Sequence, residues 1–284
     1  MPTLMAVYAH PDDEAFAGGV LARYAQQGVR TVLVTTTGGE AGEISDPTFA
    51  TQENLGEVRA AELAEAARVL GIHRTLALGY RDSGMAGTPE NDDPRSLHRA
   101  DPDEATGRLV AVIRAERPQV LITHNEQGDY GHPDHVKTHR VVVAAFAAAG
   151  DPARFPEAGP AWAPSKLYIG AFPRSGMARW AESLRELGIE PPIANREFKD
   201  TEGRPVEFGT PDELITTEVD VADFVDLKRQ AMLAHRTQFG PEHFLMKIPA
   251  EHFGRIWTTE WFRLLVGQRG GDPDAHERDL FAGL

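Results

Sequence analysis

The chain has no cysteine among its 284 residues, which excludes disulfides and thiolate metal sites. Any metal it holds must be bound through nitrogen and oxygen. Long apolar runs are missing too, since nothing approaches the roughly 20 residues a membrane helix needs. The opening run Leu4 to Ala9 has strand length, no basic flank and no cleavage site, so neither a signal peptide nor an anchor is expected. Basic residues are scarce. With 29 Lys and Arg against 43 Asp and Glu, the net charge of −14 argues against nucleic acid or an anionic membrane as partner. What is present, 41% hydrophobic and 25% charged residues, describes a soluble globule. It is expected in the cytoplasm, acting on a small molecule, with a homo-oligomer left open.

The first half alternates between two periods. Thr3 to Ala9, Arg30 to Thr37, "RTLALGY" (74–80) and "QVLITHN" (119–125) are β-branched or apolar and read as strands. Between and after them, Glu14 to Gln27, Glu53 to Leu70, Asp103 to Arg117 and His132 to Ala149 read as helices, the first two stopped by Gly28 and Gly71. Strands separated by helices imply βαβ units. The expected class is therefore α/β, a Rossmann-like, mostly parallel sheet flanked by helices, with a smaller C-terminal α+β part packed on it. Residues 1–150 form the catalytic core, 151–268 complete the pocket, and 269–284 are a tail. In the later part "KLYIGAF" and "TTEWFRLLVG" read as strands, and "GMARWAESLRELG" and Val221 to His235 as helices. Pro191 to Pro211 reads as irregular. The Gly- and Asp-rich tail from Gly267 is expected to fray. Arg81 to Pro102 is rich in Gly, Pro and Asp, and reads as a wall or lid over a pocket.

Two stretches carry chemistry. "VYAHPDDEAFAGG" sets His10, Asp12, Asp13 and Glu14 directly after the first strand, where ligands of open parallel sheets sit. Alone, "PDDE" is equally an acidic helix start. The second cluster, "EQGDYGHPDH", follows another strand and places His132 and His135 three apart at a helix start, with Asp134 between them. Two histidine–acid clusters after two strands of one sheet supply nitrogen and carboxylate ligands with carboxylates to spare, as a catalytic metal site requires. Geometry favours His10 and Asp13 as ligands and Asp12 as base. Spacing leaves the third ligand open between His132 and His135.

"AHPDDE" followed by "GHPDH" resembles the PIG-L/LmbE-like family of zinc-dependent N-deacetylases. "YRDSGMAGT" and "DYGHPDHVKTH" are most similar to the branch that deacetylates N-acetylglucosaminyl-inositol. The resemblance implies that His10, Asp13 and His135 bind zinc, with iron(II) as the alternative metal, and that Asp12 is the general base. It makes His132 the histidine that stabilises the oxyanion or protonates the leaving amine, with Asp134 orienting it, and Tyr130 a second oxyanion group. Glu43, Arg59 and Asp82 match sugar- or inositol-binding positions, against plainer readings as a loop acid, a solvated helix face and a turn residue. The implied reaction is attack of a zinc-activated water on the acetamide of an N-acetylglucosaminyl small molecule, carrying inositol or malate. An amidase of thiol S-conjugates and a structural metal-binding module are the alternatives. His124 is expected either behind the site or as an interior histidine, and His235 is given no role.

Overall fold

The computed structural model describes residues 1–191, 198–199, 203–272 and 274–284. The strand before the first motif, β1 (Thr3–Tyr8), is buried at every residue because it lies mid-sheet, paired in parallel with β2 (Arg30–Thr37) and β4 (Val120–Thr123). With β3 (Arg74–Tyr80), β5 (Lys166–Ala171), β8 (Thr217–Asp220) and β9 (Thr259–Val266) the seven-stranded order is β3-β2-β1-β4-β5-β9-β8. The first five run parallel, and β9 and β8 close the edge antiparallel. A separate hairpin joins β6 (Phe198–Lys199) and β7 (Pro205–Val206), inside the stretch expected to be irregular. The remainder of that stretch, 192–197 and 200–202, lies outside the described residues.

The chain builds outward from β1 through β2 to β3, then crosses back to lay β4 on the other side of β1. The order reverses between β1 and β4, so their carboxyl ends diverge and leave a crevice. Both sequence motifs open there.

Helices α1 (Gly18–Gln26), α2 (Leu55–Leu70), α3 (Pro102–Glu116), α5 (Pro133–Ala149), α6 (Arg174–Glu186), α7 (Val225–Ala234) and α8 (Ala250–Ile256) flank the sheet, and α4 (Gly128–Gly131) is one distorted turn. On one sheet face Val7, Val34, Leu109, Ile113 and Val142 pack together; on the other Leu4, Leu21, Leu33, Tyr24 and Phe262 do. Each such fully buried side chain stabilises the fold by about 1.5–3 kcal/mol. A third cluster around Met232, Phe253 and Trp257 belongs to the later half, including the unexpected helix α8.

Two expectations are corrected. The first helix does not begin at Glu14: Asp13 to Ala17 form a 3-10 turn and α1 starts at Gly18. Its terminal amides find their acceptor far away in sequence, because Glu260 on β9 accepts from Gly19 and Val20 N–H at 2.9 Å each. A Cβ at Gly19 would stand 2.9 Å from that carboxylate and 2.7 Å from Val221, so only glycine admits the approach. Nor does the tail fray. Glu277 accepts from Lys166 Nζ (2.7 Å), Tyr168 Oη (2.8 Å) and Thr217 Oγ1 (2.9 Å), and Leu280 is fully buried. These few strong contacts offset the poor propensity of a Gly- and Asp-rich segment. Arg81 to Pro102 holds two 3-10 turns and is tied down by the buried Asp82, Ser83 and Leu97. Among the described residues, no helix is long and apolar enough to cross a membrane.

Candidate metal centre

The two motifs meet at the crevice. His10 leaves β1, and a proline in the first turn of α5 sets His132 as the N-cap, its Nδ1 accepting the Asp134 N–H at 3.2 Å. Two imidazole nitrogens and the two oxygens of one carboxylate then converge. His10 Nδ1 lies 3.3 Å from His135 Nε2 and 3.4 Å from Asp13 Oδ2, and His135 Nε2 lies 3.4 Å from Asp13 Oδ1. A tetrahedral divalent ion with bonds of about 2.0–2.1 Å separates its ligand atoms by about 3.3–3.4 Å. The donor set and spacing therefore fit such an ion. His10, His132 and His135 likewise hold ligand atoms within 4.8 Å of one another, so His132 faces the same point.

Charge at the centre is balanced by neighbours. Burial works against ionised Asp13, yet His135 and His124 outweigh it and hold its pKa well below the ordinary value. Burial likewise lowers His10, and Asp82, Asp13 and Asp134 more than reverse it. Burial depresses His132, helped by His10 and His135, so this ring is neutral. With Nδ1 accepting, its proton sits on Nε2.

Asp12 stands beside the ligands at φ 116°, a conformation few side chains adopt. It is held there from both sides: Glu14 accepts its N–H at 2.9 Å, and Arg59 donates to its carboxylate at 3.0 Å. Burial raises its pKa to about 6, with Arg59 opposing. Arg59 is no solvated helix face. It is 3% exposed and also donates to the Gly39 and Pro11 carbonyls. A Cβ on Gly39 (φ +69°) would sit 2.4 Å from its guanidinium, which explains the glycine at that position.

Asp134 is placed differently from expectation. Its carboxylate does not orient His132; it approaches His10 Nε2 (3.3 Å) and accepts from Ser83 N (2.8 Å) and Ser83 Oγ. The reason is the N-cap: only the Asp134 backbone amide turns towards His132. Asp82 Oδ1 lies 3.6 Å from the same His10 nitrogen and the carboxylate accepts from Ala41 and Gly84 N–H, so this residue comes to the centre. Glu43 does not. Its side chain is exposed, and the loop acid that reaches inward is Glu40, which accepts the Asp82 N–H at 3.0 Å. Tyr130 packs edge-on against His135 and His132, with ring centroids 5.2 and 6.0 Å away.

His124 takes the first of its two expected places, behind the site, whereas Asp129 and His235 escaped the sequence reading. His124 stacks on His135 at 3.9 Å, and Asp129 bridges both rings. His235 is fully buried and pairs with Glu14 at 2.6 Å, tying α7 to the first motif. An acid between two glycines, as in "GDYG", was the available signal for Asp129; for the pairing of Glu14 with His235 sequence offered none.

Beside the centre lies a cavity of about 390 Å³. Asp13, Asp129, Tyr130 and His135 form one wall, while Phe16, Phe172, Trp180, Phe244, Trp257 and Trp261 make the rest largely aromatic.

Residues 5–146 match the family model described as PIG-L: GlcNAc-PI de-N-acetylase. A Geodermatophilus obscurus protein named 1D-myo-inositol 2-acetamido-2-deoxy-alpha-D-glucopyranoside deacetylase is 42% identical over 99% of this chain and 97% of its own. The Catenulispora acidiphila deacetylase 1 of the same name is 41% identical, covering 99% and 89%. Among solved structures, N,N'-diacetylchitobiose deacetylase from Pyrococcus horikoshii superposes with a TM-score of 0.63 over 93% of this chain and 84% of that one. At 20% identity that likeness speaks for the fold alone.

Proposed function

This chain belongs to the PIG-L family of deacetylases, and from that premise we propose that it hydrolyses the acetamide of N-acetylglucosaminyl-inositol, releasing acetate and a free amine. N-acetylglucosaminyl-malate is the second glycoside to compare. The observation that carries the reading is the convergence of His10 Nδ1, His135 Nε2 and the Asp13 carboxylate, which lie 3.3–3.4 Å apart, with a further carboxylate, Asp12, beside them. A structural clamp has no need of that second acid.

We assign zinc to His10, Asp13 and His135, with the cytoplasm as compartment. Bound there, zinc supplies Lewis acidity, bringing the pKa of a water towards neutrality and polarising the amide carbonyl. Asp12 takes the proton of the attacking water; burial makes its carboxylate more basic than an exposed one. His132, neutral and carrying its proton on Nε2, donates a hydrogen bond to the developing oxyanion together with Tyr130. Asp12 then passes its proton to the departing nitrogen, so no second acid is required. Arg59 orients Asp12, Asp134 orients His10, and Asp82 is assigned to substrate hydroxyls, while the exposed Glu43 is given no contact at the centre.

Asp12→Asn is expected to keep bound metal and lose about 10²- to 10⁴-fold in turnover. The assay is release of primary amine from the inositol and malate glycosides, side by side, with metal-loaded protein. Undiminished turnover by the variant would remove Asp12 as base. One observation favours a second reading, an amidase of thiol S-conjugates: an acetyl methyl fills little of a cavity of about 390 Å³ beside Tyr130 and His135. Faster cleavage of a bulky acyl-cysteinyl amide than of plain acetamide would decide for it.

A further inference from the structure

Behind the proposed ligands, one carboxylate serves two imidazoles. Asp129 Oδ2 lies 2.7 Å from His124 Nδ1 and 3.1 Å from His135 Nδ1. We propose that Asp129 is a positioning residue for the metal, fixing His135 and His124 together as Nδ1–H tautomers so that His135 presents its Nε2 lone pair to the ion. The proposal rests on the metal reading above.

The partners of each ring decide its tautomer. His124 Nε2 accepts the Ala9 N–H at 3.0 Å, so its own proton is on Nδ1 and points at Asp129. That bond also disqualifies His124 as a ligand, although its ligand atom lies within 4.8 Å of those of Asp13 and His135. Its role is to buttress. Stacked on His135 at 3.9 Å and 20°, it covers one face of that ring while Asp129 holds the edge. With Nδ1 donating to an anion, the free lone pair of His135 lies at Nε2, the atom 3.3 Å from His10 Nδ1 and 3.4 Å from Asp13.

An independent observation is the backbone. Asp129 has φ 62° and ψ −71°, the γ-turn region that non-glycine residues rarely occupy. It is kept there by Asn125, whose Oδ1 accepts the Asp129 N–H at 2.9 Å. A glycine would adopt this conformation readily. An acid that persists there against strain is being used for its side chain.

The two roles make opposite predictions for Asp129→Gly. If the residue positions His135, the variant relieves backbone strain and loses the anchor. Its zinc dissociation constant then rises about 10- to 100-fold, whichever way relieved strain and two unpaired imidazole donors move its metal-free melting temperature. Asp129→Asn, which retains one acceptor oxygen, should fall between. If the residue is merely structural, Asp129→Gly melts lower and binds zinc as the parent does. Zinc affinity is measured by competition with a chromophoric chelator. In parallel, long-range ¹H–¹⁵N NMR of the metal-free parent reads the tautomers without any variant: Nδ1–H at both His124 and His135 is expected, and Nε2–H at His135 would overturn the proposal. A parent protein that bound no zinc would remove the metal reading and this inference with it. Parent binding with an unchanged constant in Asp129→Gly would remove the inference alone.

Discussion

Lys228 on α7 and Glu260 on β9 form a buried ion pair: the side chains are 0% and 5% exposed and Nζ lies 2.6 Å from Oε1. The ammonium also donates to the Phe16 carbonyl and lies 4.7 Å from the Trp257 ring centroid, while the carboxylate caps α1 through Gly19 and Val20. At 2.6 Å and an effective dielectric near 20, the gross attraction is about 6 kcal/mol. Desolvating each ion costs several kcal/mol, so the pair nets little, whereas orphaning one member costs about 3–5 kcal/mol. Lys228→Met keeps the stem and strands the carboxylate; Glu260→Gln keeps one acceptor oxygen and strands the ammonium. Each is expected to lose about 3–5 kcal/mol. The double variant buries no uncompensated charge and is expected to lose clearly less than the sum, a coupling of about 0.5–3 kcal/mol. Urea midpoints of metal-free protein at matched m-values would measure all four corners. A double variant as unstable as the two singles added, or an unperturbed Lys228→Met, would refute the reasoning.

The tail anchor should be visible in acid. Folding depresses the Glu277 pKa: burial opposes ionisation, but Lys166 and the Gly270 N–H outweigh it. The anchor therefore contributes fully above the ordinary value of 4.5 and is lost as pH falls through the lower folded value. Glu277→Gln should be less stable at neutral pH and show a shallower acid-side decline, read by thermal melts across that window. Metal removal tests the catalytic reading against a clamp. Chelator should abolish turnover, and the melting temperature should move only by what ligand linkage predicts, about 2.7 kcal/mol at a hundredfold excess of metal over Kd; unfolding on chelation would point to a clamp.

Much of this molecule was readable before folding because its signals are local. The apolar strands, the glycine stops and the two His–Asp runs each lie within about a dozen residues, and the strand-end rule places both runs at one crevice. Tertiary partners decided the remainder. Nothing in "DEAFAGGV" announces that its helix waits until Gly18, because the cap is Glu260. The four residues of β8 are too few for periodicity, and the strand exists because β9 offers it an edge. Asp134 looked bound to its neighbour His132, yet the N-cap turned its side chain to His10. Arg59 sat on a pattern suited to solvent and is buried against Asp12.

The contacts that finish the first motif come late in the chain. Glu14 finds His235 221 positions later, and Gly19 finds Glu260 241 positions later. During synthesis on the ribosome the opening motif therefore exists long before the residues that hold its turn and cap its helix. The centre can acquire its finished geometry only when β9 has emerged and paired. A truncated or nascent chain carries the two motifs without the frame, so the geometry of the crevice is tied to completion of the polypeptide.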